Sequence, residues 1–380
     1  MYITNYTCQT QLMKSTTNIL AIIAIITTIG LYFQDRKSTG TSKDSFWSLK
    51  GSPCNPKTNI VFVKVHKCAS STLSNIFQRF GEKHHLKFLL PEDNCYLGGY
   101  PEPFKILPGY RGHKYNMMVN HMVFNKQPIR ELMPEDTVYI GVVRHPVSHL
   151  QSIYNYFKLW ERGLPALDQF EQNPILFYGG AKTDLAKTQV KNFQSFHYKL
   201  AASANPKATE VERFVKTIDR QFDFVIVADH LKESLLLLKD FLCWSMEDIL
   251  FVSHKVRNKD SISGEHHIDL KLVERNIQKW SLADFALFEH FNKTLWNKIA
   301  NIDPDMFENQ LNEYNNQLEI VRETCSKYGL STKNNYENKA TLNENNSTEH
   351  EESEFSRCSL MYLNPVQYVQ RLKLLDSINT

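Results

Sequence analysis

The chain has 380 residues, enough for one large domain with appendages or for two small domains. Its 42% hydrophobic and 12% aromatic content is that of a globular protein. A net charge of +3 without a Lys/Arg block argues against nucleic acid as a partner, so an anionic ligand would have to be held by local residues.

The N-terminus opens with a short tail, residues 1–18, followed by the uncharged run "ILAIIAIITTIGLYF" from Ile19 to Phe33. Fifteen residues fall short of the roughly 20 that span a bilayer, but Thr16, Thr17 and Asn18 extend the run backwards. No A-x-A-like cleavage site follows, which favours an uncleaved signal anchor over a cleaved signal peptide. Lys14 on one side and Arg36 and Lys37 on the other do not fix the orientation. On either reading the bulk of the chain enters the secretory pathway. Residues 34–55 are polar and read as a stem.

The folded part begins near Pro56. Three apolar runs read as buried parallel strands: Ile60–Val65, Val138–Val143 and Phe224–Val227. Each precedes a helical pattern, over Thr72–Phe80, Val147–Trp160 and Leu231–Leu242. That alternation predicts an open α/β sheet with helices on both faces, which binds ligands beyond the carboxyl ends of its strands. A helix-rich region runs from about Asp269 to Leu318. An Asn/Glu/Thr/Ser tract occupies residues 332–354, and the amphipathic stretch "SLMYLNPVQYVQRLKLLD" is expected to return to the domain.

The first strand ends in "HKCASST". A small-residue turn entering a helix suits an anion, because the first helical N–H groups and the helix dipole point at it. Ser70, Ser71 and Thr72 add hydroxyls and Lys67 adds charge; the same residues would equally serve as an ordinary helix cap. The turn holds no glycine, so it is not a Walker P-loop and a nucleotide kinase is disfavoured. The second strand ends in "VVRHPVSHLQS". There Arg144 can grip a phosphate bidentately and Ser152, two turns into the helix, can reach the same group. Taken alone they read as a surface Arg and a helix Ser, and it is the pairing with the first strand end that favours an anion.

Cys8 falls in the N-terminal tail. Cys68, in the turn, and Cys243, in an apolar helix, read as free thiols, whereas Cys325 and Cys358 flank a polar stretch that a disulfide can close. No Cys/His spacing suggests zinc. Acceptor sequons stand at Asn5, Asn292, Asn345 and Asn346, the second inside a helical apolar stripe.

"FVKVHKCASSTLSNIFQRFGEKHHLKFLLP" (Phe62–Pro91), "NHM" (Asn120–Met122), "VVRHPV" with Ser152, "HLKESLLLLKDFLCWSMEDIL" (His230–Leu250) and "WSLADFALFEHFNKTLW" (Trp280–Trp296) together resemble the galactose 3-O-sulfotransferases. Their galactosylceramide (cerebroside) branch is the nearest. The likeness is collinear over roughly residues 57–300, with weaker echoes around Cys325 and in "CSLMYLNPVQY". It implies a sulfotransferase fold, a P-loop-like open parallel sheet, over residues 56–300 with a C-terminal extension over 301–380. It also implies a Golgi type II membrane enzyme with its catalytic domain in the lumen, acting on a galactose-terminated glycolipid or glycan; a homodimer is compatible with this reading.

The implied donor is 3′-phosphoadenylyl sulfate (PAPS). Its 5′-phosphosulfate would lie on Lys64, Lys67, Cys68, Ala69, Ser70, Ser71 and Thr72. Its 3′-phosphate would lie on Arg144 and Ser152, and Arg257 takes a basic family position after "EDIL". His121 falls where the family places its catalytic base, with His66 as second choice or as an acceptor contact. Lys67 would stabilise the leaving group, and no metal is required. Cys68 stands for the usual Thr, His145 for an acidic or amide residue, and Lys191–Asn192 match the acceptor-side segment between Gln172 and Ala201 only thinly. Two other readings remain: transfer to another hydroxyl such as a uronic acid 2-OH, or a catalytically silent, membrane-tethered galactoside-binding protein.

Overall fold

A computed structural model describes residues 54–92, 95–99, 103–107, 112–201, 205–252, 269–330 and 349–378. The expected anchor at Ile19–Phe33, most of the stem, Arg257, Cys8 and the sequons at Asn5, Asn345 and Asn346 lie outside these residues. No helix among the described residues is long and apolar enough to cross a membrane.

In chain order, β1 (Ile60–Phe62) leads through the "HKCASST" turn into α1 (Ser70–Lys83). Then come β2 (Tyr96–Gly98), β3 (Met117–Met118), β4 (His121–Met122) and α2 (Lys126–Leu132). β5 (Val138–Val143) and α3 (Pro146–Tyr156) precede four short helices, α4 (Leu167–Gln172), α5 (Pro174–Phe177), α6 (Asp184–Gln189) and α7 (Phe193–His197). The remaining elements are α8 (Ala208–Gln221), β6 (Phe224–Val227), α9 (Leu231–Leu242), α10 (Leu270–Trp280), α11 (Leu282–Ile299), α12 (Pro304–Ser326), α13 (Glu349–Tyr362) and α14 (Pro365–Ile378).

Four strands form a parallel sheet in the order β3-β1-β5-β6, with Val61 opposite Tyr139 and Val142 opposite Ile226. Every residue of β1, β5 and β6 is buried, so both faces of these strands are covered, and near-continuous apolar runs suit that position. β1 is shorter than the apolar run that announces it. The pairing continues only as far as the Val63 N–H bond to Ile140 O at 2.9 Å, after which the chain turns away. α3 starts where Pro146 can occupy the first turn without losing a hydrogen bond, and it stops at Tyr156 because Lys158 adopts a left-handed backbone (φ 48°). A separate two-stranded parallel ribbon pairs β2 with β4 and sets Tyr96 opposite His121.

Cys243 is not a free thiol. It forms a disulfide with Cys54, because its left-handed backbone ends α9 beside the segment leading into β1. There Lys57 N–H bonds Leu242 O at 2.9 Å and Trp244 Nε1 donates to Lys57 O at 3.1 Å. Cys325 and Cys358 are joined as expected, and Cys68 is free and buried. The C-terminal helices pack on α1: Asn75 Nδ2 donates to Leu360 O at 2.8 Å, and Arg371 Nη2 meets Glu82 Oε1 at 2.6 Å. On α11, Phe285, Phe288, Phe291 and Leu295 are buried, and the amide oxygen of Asn292 is enclosed with them.

Candidate active site

The turn after β1 is built for something other than capping. Ala69 occupies the N-cap position of α1 with a left-handed backbone (φ 52°), no side chain caps the helix, and its first turn carries no acidic residue. The ordinary-cap reading of Ser70–Thr72 is thereby removed. Lys67 is left-handed as well (φ 61°), and such conformations at non-glycine residues cost about 1–3 kcal/mol each. Strain of that kind concentrates where a backbone must present its N–H groups to a ligand.

The two strand ends that sequence reasoning selected are tied together. Arg144 Nη1 donates to Lys67 O at 2.8 Å and its Nε donates to Ser148 Oγ at 3.1 Å. The hydroxyl beside Arg144 is therefore Ser148. Ser152 lies one turn further along α3, half-buried, with no bond to Arg144. Lys67 Nζ lies 4.1 Å from the centre of the Tyr156 ring, which places the cation between the turn and the end of α3. The Arg144 backbone is clamped by a buried amide: Gln194 Oε1 accepts Arg144 N–H at 2.7 Å and Gln194 Nε2 donates to Arg144 O at 2.8 Å. Gln194 also accepts from the Cys68 thiol at 3.6 Å, and burial pushes that thiol well up, so it stays protonated.

Gln194 belongs to a buried polar segment that sequence reasoning matched thinly. Asp284, near the start of α11, accepts the N–H groups of Gln194 and Ser195 and the Ser195 hydroxyl. Asn192 Oδ1 accepts N–H groups of Ala283 and Asp284. Asn192 thus joins α7 to α11, and Lys191 Nζ lies 4.3 Å from the Trp280 ring centre. Both residues are buried.

Beyond β1 four imidazoles converge. His66 and His121 stack with centroids 3.9 Å apart. His66 Nδ1 is 2.9 Å from His197 Nε2, His66 Nε2 is 2.8 Å from Tyr96 Oη, and His149 Nε2 donates to His66 O at 2.9 Å. His121 Nδ1 donates to Lys64 O at 2.9 Å, and its Nε2 has no hydrogen-bond partner among the described residues. Burial drives all four towards the neutral form. It takes His66 down to about 2, with repulsion from His197 and Lys64 adding to it, His149 to about 3 and His197 to about 4, and holds His121 well below the usual imidazole range.

Lys64 completes the group. It is fully buried, its ammonium has no hydrogen-bond partner, and burial lowers it to about 8. A buried amine left without a partner is costly, and an anion is the partner that would relieve it. Ligand nitrogens of His66, His121 and His197 lie within 4.8 Å of one another. Both ring nitrogens of His66 and of His197 are engaged in hydrogen bonds, however, so a metal would have to displace them. A cleft of about 570 Å³ between α2 and α8 is lined by Lys126, Arg130, Lys199 and Arg213, and none of the imidazoles or Lys64 lines it.

The galactose-3-O-sulfotransferase family model matches residues 8–346. The chain belongs to the galactose-3-O-sulfotransferase family. Human galactose-3-O-sulfotransferase 2 is 32% identical over 286 residues, covering 73% of this chain and 71% of that protein. Human galactosylceramide sulfotransferase is 31% identical over 284 residues, covering 72% of this chain and 65% of that protein. Mouse galactose-3-O-sulfotransferase 3 is 26% identical over 296 residues. No solved structure matches the chain significantly.

Within this family of carbohydrate sulfotransferases, the fold brings His66, Lys67, His121 and Arg144 to one end of the sheet. Sequence reasoning missed His149, His197, Gln194, Ser148 and Tyr96. His149 and Ser148 stood in the quoted "RHPVSHLQS", where their spacing to Arg144 on one helix was the available signal. His197 and Gln194 stood in "KNFQSFH", which has no periodic pattern to single them out.

Proposed function

We propose that the protein transfers a sulfuryl group from PAPS to the 3-hydroxyl of a terminal β-galactose on a glycolipid or glycan. The observation that carries the reading is the meeting, beyond β1, of an uncapped helix N-terminus, an unpartnered buried ammonium on Lys64 and the uncommitted Nε2 of His121. The first two suit an anionic donor, and the third suits a hydroxyl that must lose its proton.

The residues present fit PAPS. The backbone of Cys68–Thr72 and the ammonium groups of Lys64 and Lys67 would hold the phosphosulfate. Arg144, with Ser148 or Ser152, would hold the 3′-phosphate, and Arg257 would add a further cation. The donor supplies a sulfonate already activated by its phosphate leaving group. Lys67 then offsets the charge that grows on the leaving oxygen. His121, with Nδ1–H fixed on Lys64 O, presents Nε2 as general base in the neutral form that burial favours. His66 contacts the acceptor beside it. The run Ile19–Phe33 would anchor the enzyme in the Golgi membrane with the catalytic part in the lumen.

Donor recognition is tested by calorimetric titration of the full-length chain with adenosine 3′,5′-bisphosphate, the desulfonated donor. Lys67→Ala and Arg144→Ala should each weaken binding about tenfold or more, as expected for charge-assisted bonds. Absence of binding by the unmutated protein would sink the donor assignment.

A further inference from the structure

The hydrogen bonds of His66 and His197 have only one possible direction. Phe193 O can only accept, so His197 Nδ1, 2.8 Å away, carries the hydrogen. In the neutral ring His197 Nε2 is then an acceptor, and His66 Nδ1 at 2.9 Å must be the donor. His66 Nε2 is consequently a lone pair, and Tyr96 Oη at 2.8 Å donates to it. His197 is buried, while Tyr96, at 49% exposure, stands at the open end of the chain. The β2–β4 register that sets Tyr96 opposite His121 puts this open end beside the uncommitted base, with the Tyr96 and His121 rings stacked at 5.0 Å.

We propose that His197 is a positioning residue which locks His66 as a hydroxyl-reading acceptor, and that Tyr96 holds the place of a hydroxyl of the acceptor sugar. This rests on the sulfotransfer reading above. His121 Nε2 faces the hydroxyl that attacks, and His66 Nε2 accepts a hydrogen from a neighbouring hydroxyl once the sugar displaces the Tyr96 phenol. Such a station takes a group that donates a hydrogen and discriminates against an ether or a deoxy position there, because the fixed lone pair is then left unpaired. His197 cannot turn to offer another tautomer without losing Phe193 O. The charged and titratable groups facing the pair are Lys64, Lys67, His121, His149 and Tyr96; Lys64 and Lys67 oppose protonation of His66, and burial opposes that of His197.

The test uses the full-length chain with His197→Leu, His197→Gln and Tyr96→Phe, read by acceptor KM, by kcat and by 15N spectra of the histidines in the free protein. Gln keeps an acceptor for His66 Nδ1–H, and Leu does not. His197→Leu should raise acceptor KM about tenfold with a smaller change in kcat, and His197→Gln should restore most of it. Tyr96→Phe should leave acceptor KM unchanged or lower it. The spectra should show His66 Nε2 unprotonated in the unmutated protein and in His197→Gln, and mixed tautomers in His197→Leu. Galactosides O-methylated next to the reacting hydroxyl should be poor acceptors for the unmutated protein and be penalised less by His197→Leu. Equal behaviour of the Leu and Gln variants, or a rise in acceptor KM in Tyr96→Phe as large as in His197→Leu, would overturn the proposal. Lack of transfer by the unmutated protein would count against the sulfotransfer reading, whereas a protonated His66 Nε2 in the free protein would count against this one alone.

Discussion

The turn after β1 and the β2–β4 ribbon meet at His121 Nδ1 to Lys64 O, at Tyr96 Oη to His66 Nε2 and in the stack of His66 on His121, yet they are built differently. The turn hangs from the central sheet, where β1 is paired on both sides and fully buried, and it spends that rigidity on a left-handed backbone and an uncapped helix. The ribbon is two short strands at the side, and its rings hold their places by stacking and by side-chain hydrogen bonds to His66 and Lys64 O. On the proposed function the turn is a backbone device for an anion and the ribbon a side-chain device for a hydroxyl, and the two should fail differently.

The largest expected difference lies on the hydroxyl side. His121→Ala should lower kcat by roughly a hundred- to ten-thousand-fold with donor affinity nearly unchanged, measured by initial rates beside donor titration. Lys67→Ala should both weaken donor binding and lower kcat by roughly a hundred- to a thousand-fold, since the proposed mechanism sets it on the leaving group. If His121→Ala instead abolished donor binding, the division between the two devices would be wrong.

Gln194→Leu sharpens the comparison at the next level. It removes the clamp on the Arg144 backbone and leaves a part-buried N–H and C=O unpaired, a loss of about 1–3 kcal/mol in stability. Donor KM should rise more than acceptor KM if Arg144 holds the donor's 3′-phosphate as proposed.

The pH dependence separates the two sides without mutation. Lys64 is charged below about 8, so kcat/KM should decline above that pH as the anion side loses a cation, and Lys64→Met should remove that limb along with much of the activity. The buried imidazoles act in the other direction. Their folded pKa values lie below the unfolded 6.5, so the stability they confer is complete above about pH 6.5. It is lost as pH falls through about 4 for His197, 3 for His149 and 2 for His66. Urea titrations between pH 8 and pH 4 should show the decline beginning near 6.5. The smallest effect on transfer is expected from Cys358→Ser, which opens a link of sequence separation 33 and should cost about 2–4 kcal/mol in unfolding experiments while leaving kcat within a factor of two.

How much of this was legible in the sequence follows the same division. β5 and β6 coincide with their apolar runs and α9 with its helical pattern, because sheet burial and helix periodicity are local signals. That Lys67 and Arg144 would meet was legible because each stands at a fixed offset past a buried strand end. The ribbon was not, since two- and three-residue strands have no period to detect. The Cys54–Cys243 bond was missed because its halves are 189 residues apart and one of them looked like part of an apolar helix. His197 and Gln194 matter through partners that are 131 and 50 residues away, a separation that no spacing rule reaches.

The most direct test of the whole assignment is sulfate transfer with linkage analysis of the product. Full-length protein would be given ³⁵S-labelled PAPS with galactosylceramide, lactosylceramide, N-acetyllactosamine and desulfated heparin. Label on O3 of terminal galactose, lost in both His121→Ala and Lys67→Ala, is the predicted result. Donor binding without label on any galactoside, or label on a different hydroxyl, would contradict the galactose 3-O assignment.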